Sequence, residues 1–110
     1  WVALGNAAGN WGAQQRLTDP TVPVDAYATR VAMSPDGTLV SVGWIDHYHG
    51  TIQVANLTTT GWNVNTIGRG AAFSSFQDVL GLDAGASNVA CAIWKNAKTG
   101  TQTMAATYGK

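Results

Sequence analysis

The sequence predicts an all-β chain, and three observations carry that prediction. Nowhere in its 110 residues do apolar side chains recur with the helical period of about 3.6. Short β-branched or aromatic runs lie instead between clusters of Gly, Pro, Asn and Asp, which is how strands joined by turns read. The pattern also repeats itself after about 50 residues.

Strands are predicted near 1–5, 11–17, 28–34, 38–46, 51–57, 62–67, 73–81, 88–95 and 101–108. The stretch "SPDGT" (34–38) specifies its own turn. Pro35 presets φ for a type I turn, Asp36 follows, and Gly37 supplies the left-handed position that closes a hairpin. In the next strand Leu39, Ser41 and Gly43 share one face, while Val40, Val42 and Trp44 share the other. Val89, Cys91 and Ile93 alternate in the same way with Ala90, Ala92 and Trp94. Both faces are small or apolar, as expected of a sheet covered on both sides.

The repeat is visible residue by residue. "LVSVGWIDHYHGTIQVANL" (39–57) aligns with "VACAIWKNAKTGTQTMAAT" (89–107), placing Trp44 on Trp94, Gly50 on Gly100, Thr51 on Thr101 and Ala55 on Ala105 at an offset of 50. "GNWGAQQRL" (9–17) matches "TGWNVNTIG" (60–68), with Trp11 on Trp62 at an offset of 51. A unit of this length holding four short strands has the size of a β-propeller blade. The expected fold is therefore one domain, 1–110, of about two blades of four antiparallel strands. The repeats fall at approximately 11–61 and 62–110, and the N-terminal segment 1–10 completes another blade. Two blades cannot close a ring, since propellers need roughly four to eight. Closure then requires further chains, three copies giving six blades being favoured, or further sequence. A β-sandwich is the alternative, because it too has seven to nine short strands.

The segment "MSPDGTLVSVGW" (33–44) resembles the blade hairpin of WD40-like and TolB-like propeller repeats, where such a turn joins the inner strand to the next. The succession of inner strand, Gly turn, Trp-ended strand and "GT" strand is also similar to sialidase-type and lectin-type propellers. The resemblance implies blades that present a binding surface. Departures limit what carries over. The second copy, "LDAGASN" (82–88), lacks the Pro, and no Trp closely follows "SPDGT" as in a sialidase Asp-box. Two-blade fucose lectins that trimerise are similar in size and layout, but they hold sugar through an Arg, a Glu and a Trp. This chain has no Glu, so none of their residues is assigned here.

Composition excludes several functions. Net charge is zero with 11% charged residues and no basic stripe, which argues against nucleic-acid partners. No apolar run approaches the roughly 20 residues of a membrane-spanning helix. A lone cysteine, Cys91, excludes an internal disulfide and is expected to be a small buried hydrophobe. Low charge with much Gly, Ala, Thr and Asn suits a secreted or cell-surface protein. The chain begins at Trp1 rather than Met, which reads as processing, excision or engineering.

Candidate site residues concentrate in "WIDHYHGT" (44–51), which holds Asp46, His47, Tyr48 and His49. The corresponding "WKNAKTGT" (94–101) carries none of them, so the segment reads as an exposed connection whose content varies. In an extended run His47 and His49 point the same way. A metal would still need more ligands than the local sequence offers, and no metal or other cofactor is expected. No nucleophile elbow and no paired glycosidase carboxylates are recognisable, so the chain is not expected to be an enzyme. Trp44 and Trp94 are expected to pack between blades, with Gly37, Gly50 and Gly100 at turns. Trp11 and Trp62 either pin outer strands or, with Tyr27, Tyr48 or Tyr108, offer apolar faces to sugar rings. Asn56-Leu57-Thr58 matches a glycosylation sequon. The expected function is non-catalytic recognition of carbohydrate or cell surfaces. The alternatives are a natural or engineered repeat unit that self-assembles into a ring and, third, a fragment of a propeller hydrolase.

Overall fold

The computed structural model describes residues 1–69, 80–85, 89–95 and 102–108. Among these the chain is all-β, without a helix, and forms two antiparallel sheets. The first sheet follows chain order: β1 (Ala26–Met33), β2 (Val40–Asp46), β3 (Thr51–Thr58) and β4 (Gly61–Arg69). The second contains β5 (Leu80–Ala84), β6 (Val89–Lys95) and β7 (Gln102–Tyr108), also in order. Most of the strand expected at 73–81, and Gly100, lie outside the described residues. Two facing sheets of this kind satisfy a sandwich as well as a pair of blades.

The strands predicted at 1–5 and 11–17 form a narrower element than expected. They make a hairpin held by two isolated bridges, Val2↔Gln15 and Gly5↔Trp11. Its tip is closed by Asn6, whose Oδ1 accepts from the amides of Ala8 (3.0 Å) and Asn10 (3.1 Å).

The β1–β2 connection forms as its sequence directs. The Ser34 amide donates to the Leu39 carbonyl and the Leu39 amide to Ser34 Oγ, both at 2.9 Å, while Gly37 takes a φ of 71°. Asp36 accepts from Ser34 Oγ (2.6 Å), Thr38 Oγ1 (2.8 Å) and the Thr38 amide (3.1 Å). These bonds, Ser34 foremost, lower its carboxyl to about 2 from the ordinary 3.8.

β2 and β3 are buried on both faces, which explains why their sequence is apolar on both. On one face Ile45, Ile52 and Val54 pack with Ala92 of the second sheet, joined by Ala28, Ile67 and Leu82. Beside them Ala32 and Leu39 pack on Ala84 and Ala90. On the opposite face Val42, Trp44 and Ala55 are covered by Val2 and Leu17 of the N-terminal hairpin and flanked by Trp62. The chain is thus three layers deep: hairpin, first sheet, second sheet.

The repeat is preserved in the strand registers. Ser41↔Asn56 and Trp44↔Gln53 of β2–β3 recur as Cys91↔Ala106 and Trp94↔Thr103 of β6–β7, a shift of 50 on each strand. Val31↔Val42 recurs as Leu82↔Ala92, so β5 is displaced by 51 from β1. The one-residue difference falls in the turn: Gly85 donates to Val89, whereas Ser34 donates to Leu39.

One expectation is corrected here, and one motif finds its setting. Cys91 is exposed rather than buried, because it lies on the face of β6 opposite Ala90 and Ala92, which meet the first sheet. Asn56 is fully buried and accepts from Ser41 Oγ at 2.5 Å, so the sequon is closed to glycosylation in the folded chain.

Two predictions follow from the core and the turn. Truncating the fully buried Ile52 to Ala should destabilise by about 3 kcal/mol, measured by denaturant unfolding. Asp36 is favoured in its ionised form by the folded turn. Its contribution should be intact above the unfolded value of 3.8 and fade as pH falls toward about 2. Asp36→Asn should remove that part of the acid dependence of Tm. An unchanged slope would assign it to another group.

Candidate functional site

The hairpin and the segment after it do not cover the first sheet completely. Where they stand off, a cleft of about 320 Å³ opens, lined by residues of three origins. Leu17, Thr18, Asp19, Val22 and Val24 form one wall, Trp44, Asp46 and His49 come from β2 and its turn, and Gln53 and Val64 from β3 and β4.

The β-sheet register explains the floor. Trp44 pairs with Gln53 and Asp46 with Thr51, so these four residues share the hairpin-facing side. Gln53 pairs in turn with Thr66. Its amide is held at both ends, donating through Nε2 to Thr51 Oγ1 (2.9 Å) and accepting at Oε1 from Thr66 Oγ1 (3.0 Å).

Asp46 is a buried carboxylate that organises the turn after β2. Its Oδ1 accepts from the amides of Tyr48 (3.0 Å) and His49 (3.3 Å), and its Oδ2 lies 2.6 Å from His49 Nδ1. An Asp in this position takes the orphan amides of a tight turn, which is why the chain reverses here. Gly50, at a φ of 62°, completes the reversal and is itself buried. His49 is held from the other side by the edge of the Tyr48 ring, 4.9 Å between centroids. Across the cleft, Asp19 accepts from the Thr21 hydroxyl (2.6 Å) and amide (2.8 Å). The hydroxyl bond leads in holding its carboxyl below the usual range.

The histidines are not arranged as an extended run would place them. Residues 47–50 form a turn, so the two-residue spacing no longer sets a common direction. His47 leaves the cleft: its ring stacks on Tyr27 at 4.4 Å, and its amide donates to the Asp25 carbonyl (2.8 Å). The connection expected to be an exposed tip is exposed only at Tyr48 and His49, since Asp46, Gly50 and Thr51 are buried. No three metal-ligating side chains converge among the described residues.

Of the six residues singled out in the sequence, two, Asp46 and His49, reach the cleft. Tyr48 lies outward over His49. Trp62 packs in the layer beneath the hairpin, its buried Nε1 without a hydrogen-bond partner among the described residues. Trp11 is 73% exposed on the hairpin, its ring so close to Gly5 that a Cβ there would meet it at 3.0 Å. Trp44 packs with Val42 and Ala55 and also lines the cleft. Gln53, Thr18 and Asp19 were not singled out. Gln53 had one signal, a polar residue breaking the apolar run of β3. Asp19 had none, because its wall is a loop.

Comparison with known proteins finds no family model, no curated protein and no solved structure that matches this chain. Among the described residues, no helix is long and apolar enough to cross a membrane.

Replacing His49 with Ala should leave Asp46 buried without its side-chain partner, and Tm should fall by an amount reflecting about 1–3 kcal/mol. Removing Asp46 as Asp46→Ala should cost more, because the turn amides also lose their acceptor. Equal Tm values for the two variants would contradict this ordering.

Proposed function

We propose that the chain is a non-catalytic binding module whose cleft takes a carbohydrate, within a repeat architecture of propeller blades. The observation that carries the reading is the composition of the cleft. Apolar side chains of floor and wall, Trp44, Val64, Leu17, Val22 and Val24, lie beside the polar Asp46, His49, Gln53, Thr18 and Asp19. A sugar ring presents the matching surface, with C–H faces for the apolar lining and hydroxyls for the polar groups. The polar groups are fixed in advance by their own hydrogen bonds, which lowers the ordering cost of binding. The same saturation disfavours chemistry. The hydroxyl among the lining residues, Thr18, accepts from Arg16 Nε at 3.1 Å.

The blade reading is supported by the recurrence of the β2–β3 register and by the two-sided burial of those strands. It favours completion by further sheets, with three chains giving six blades as the simplest ring, and a secreted or cell-surface setting. Self-assembly as the chain's main property is the second reading, favoured by the same recurrence.

Saturation-transfer NMR against a panel of neutral and acidic saccharides tests the cleft. At least one class should bind, and Gln53→Ala should weaken it by about tenfold or more. Silence across the panel would remove the carbohydrate reading and leave assembly.

A further inference from the structure

We infer that two exposed faces of the chain are the two halves of one interface, through which it associates head to tail with a second copy of itself. The inference rests on the repeated-sheet reading above and goes beyond it by naming the surfaces. Its starting point is the order of the layers. Val2 and Leu17 of the hairpin pack on the cluster containing Val42, on one face of the first sheet. The second sheet packs on the other face through Ala84, Ala90 and Ala92. Each layer meets the next through opposite faces, so the arrangement does not close on itself.

Among the described residues, both ends of this stack are left incomplete in a complementary way. The hairpin covers β2, β3 and β4 but stops short of β1. Val31 and Met33 pair with Val42 and Val40, so all four share that face. Val31 nevertheless remains 67% and Met33 64% exposed. By register, Val31, Met33 and Val40 correspond to Leu82, Ala84 and Ala90 of the second sheet. Those are the residues that receive Ala32 and Leu39 within the chain. The first sheet thus carries an uncovered copy of a surface already used once.

The matching half lies on the far side of the second sheet. Asp83, Val89 and Cys91 stand where Ala32, Leu39 and Ser41 stand in the first sheet. Leu39 and Ser41 are fully buried against the second sheet, whereas Cys91 and Asp83 are exposed. The buried polar pair Ser41–Asn56 is replaced in register by Cys91–Ala106, which removes the need for an internal hydrogen bond on this face. A second copy that presents Val31, Met33 and Val40 to Val89 and Cys91 repeats the part of the internal contact made by Leu39, while the hairpin over Val42 closes the part made by Ala92. Asp83 stands where the buried Ala32 packs in the first sheet, so at this corner the contact departs from the internal one and the carboxylate must keep its water.

Sedimentation velocity over a dilution series, with Met33→Glu and Cys91→Arg, tests the pairing. Both positions are exposed in the single chain, so circular dichroism and Tm of the dilute variants should match the parent. The parent should associate as concentration rises, and Cys91 should become protected from a maleimide over the same range. Each variant alone should associate at least about tenfold more weakly. Mixed together, the two should form heterodimers and nothing larger, since each retains one intact and opposite half. A parent that stays monomeric overturns the inference, leaving any further sheet to be supplied by other sequence. So does undiminished association of either variant, or a mixture without heterodimers. None of these readouts depends on sugar binding, so a silent glycan panel and a failed association are separate results.

Discussion

The structure depends on one constraint: the β2–β3 pair has no side that faces water. A sheet buried on both faces must be apolar on both, and its backbone must satisfy its hydrogen bonds within the ladder. Val42, Trp44 and Ala55 answer to the hairpin, while Ile45, Ile52 and Val54 answer to the second sheet. Once both faces are committed, a one-residue slip in register would exchange the two sets of neighbours. Register is therefore tightly specified here. It is also the feature the second half of the chain reproduces.

The cleft exists because this coverage is unequal. The hairpin reaches Val42 and Ala55, but the loop beyond it stands away from Trp44 and Gln53, leaving space above a prepared floor. Asp46 lies at the boundary between packed and open regions. It is buried as a turn acceptor, yet its partner His49 reaches the cleft. One carboxylate thus shapes the backbone and orients a polar group into the cleft. Coupling of this kind lets a rigid sheet fix the geometry of side chains carried on a connection.

The same unequal coverage divides the outer surfaces. Exposed Val31 and Met33 are no random scatter of apolar side chains, because they adjoin Val40 and stand in register with Leu82 and Ala84, which pack against the first sheet. Cys91 tells the reverse story from the second sheet. An isolated exposed apolar residue needs no explanation, but two exposed patches related by the internal repeat do.

Composition and spacing by themselves determined that the chain is all-β, that the Ser34–Leu39 turn would form around Pro35 and Gly37, and that Trp44 would lie in an apolar strand. They also revealed the echo between 39–57 and 89–107. These are local properties, set by φ preferences and by which side chains alternate. The direction of His47, the exposure of Cys91, the burial of Asn56 and the inclusion of Gln53 and Asp19 in one cleft were decided only in three dimensions. Each depends on which layer covers a given face, and a period of two residues along a strand says which side chains share a face without saying what lies above it.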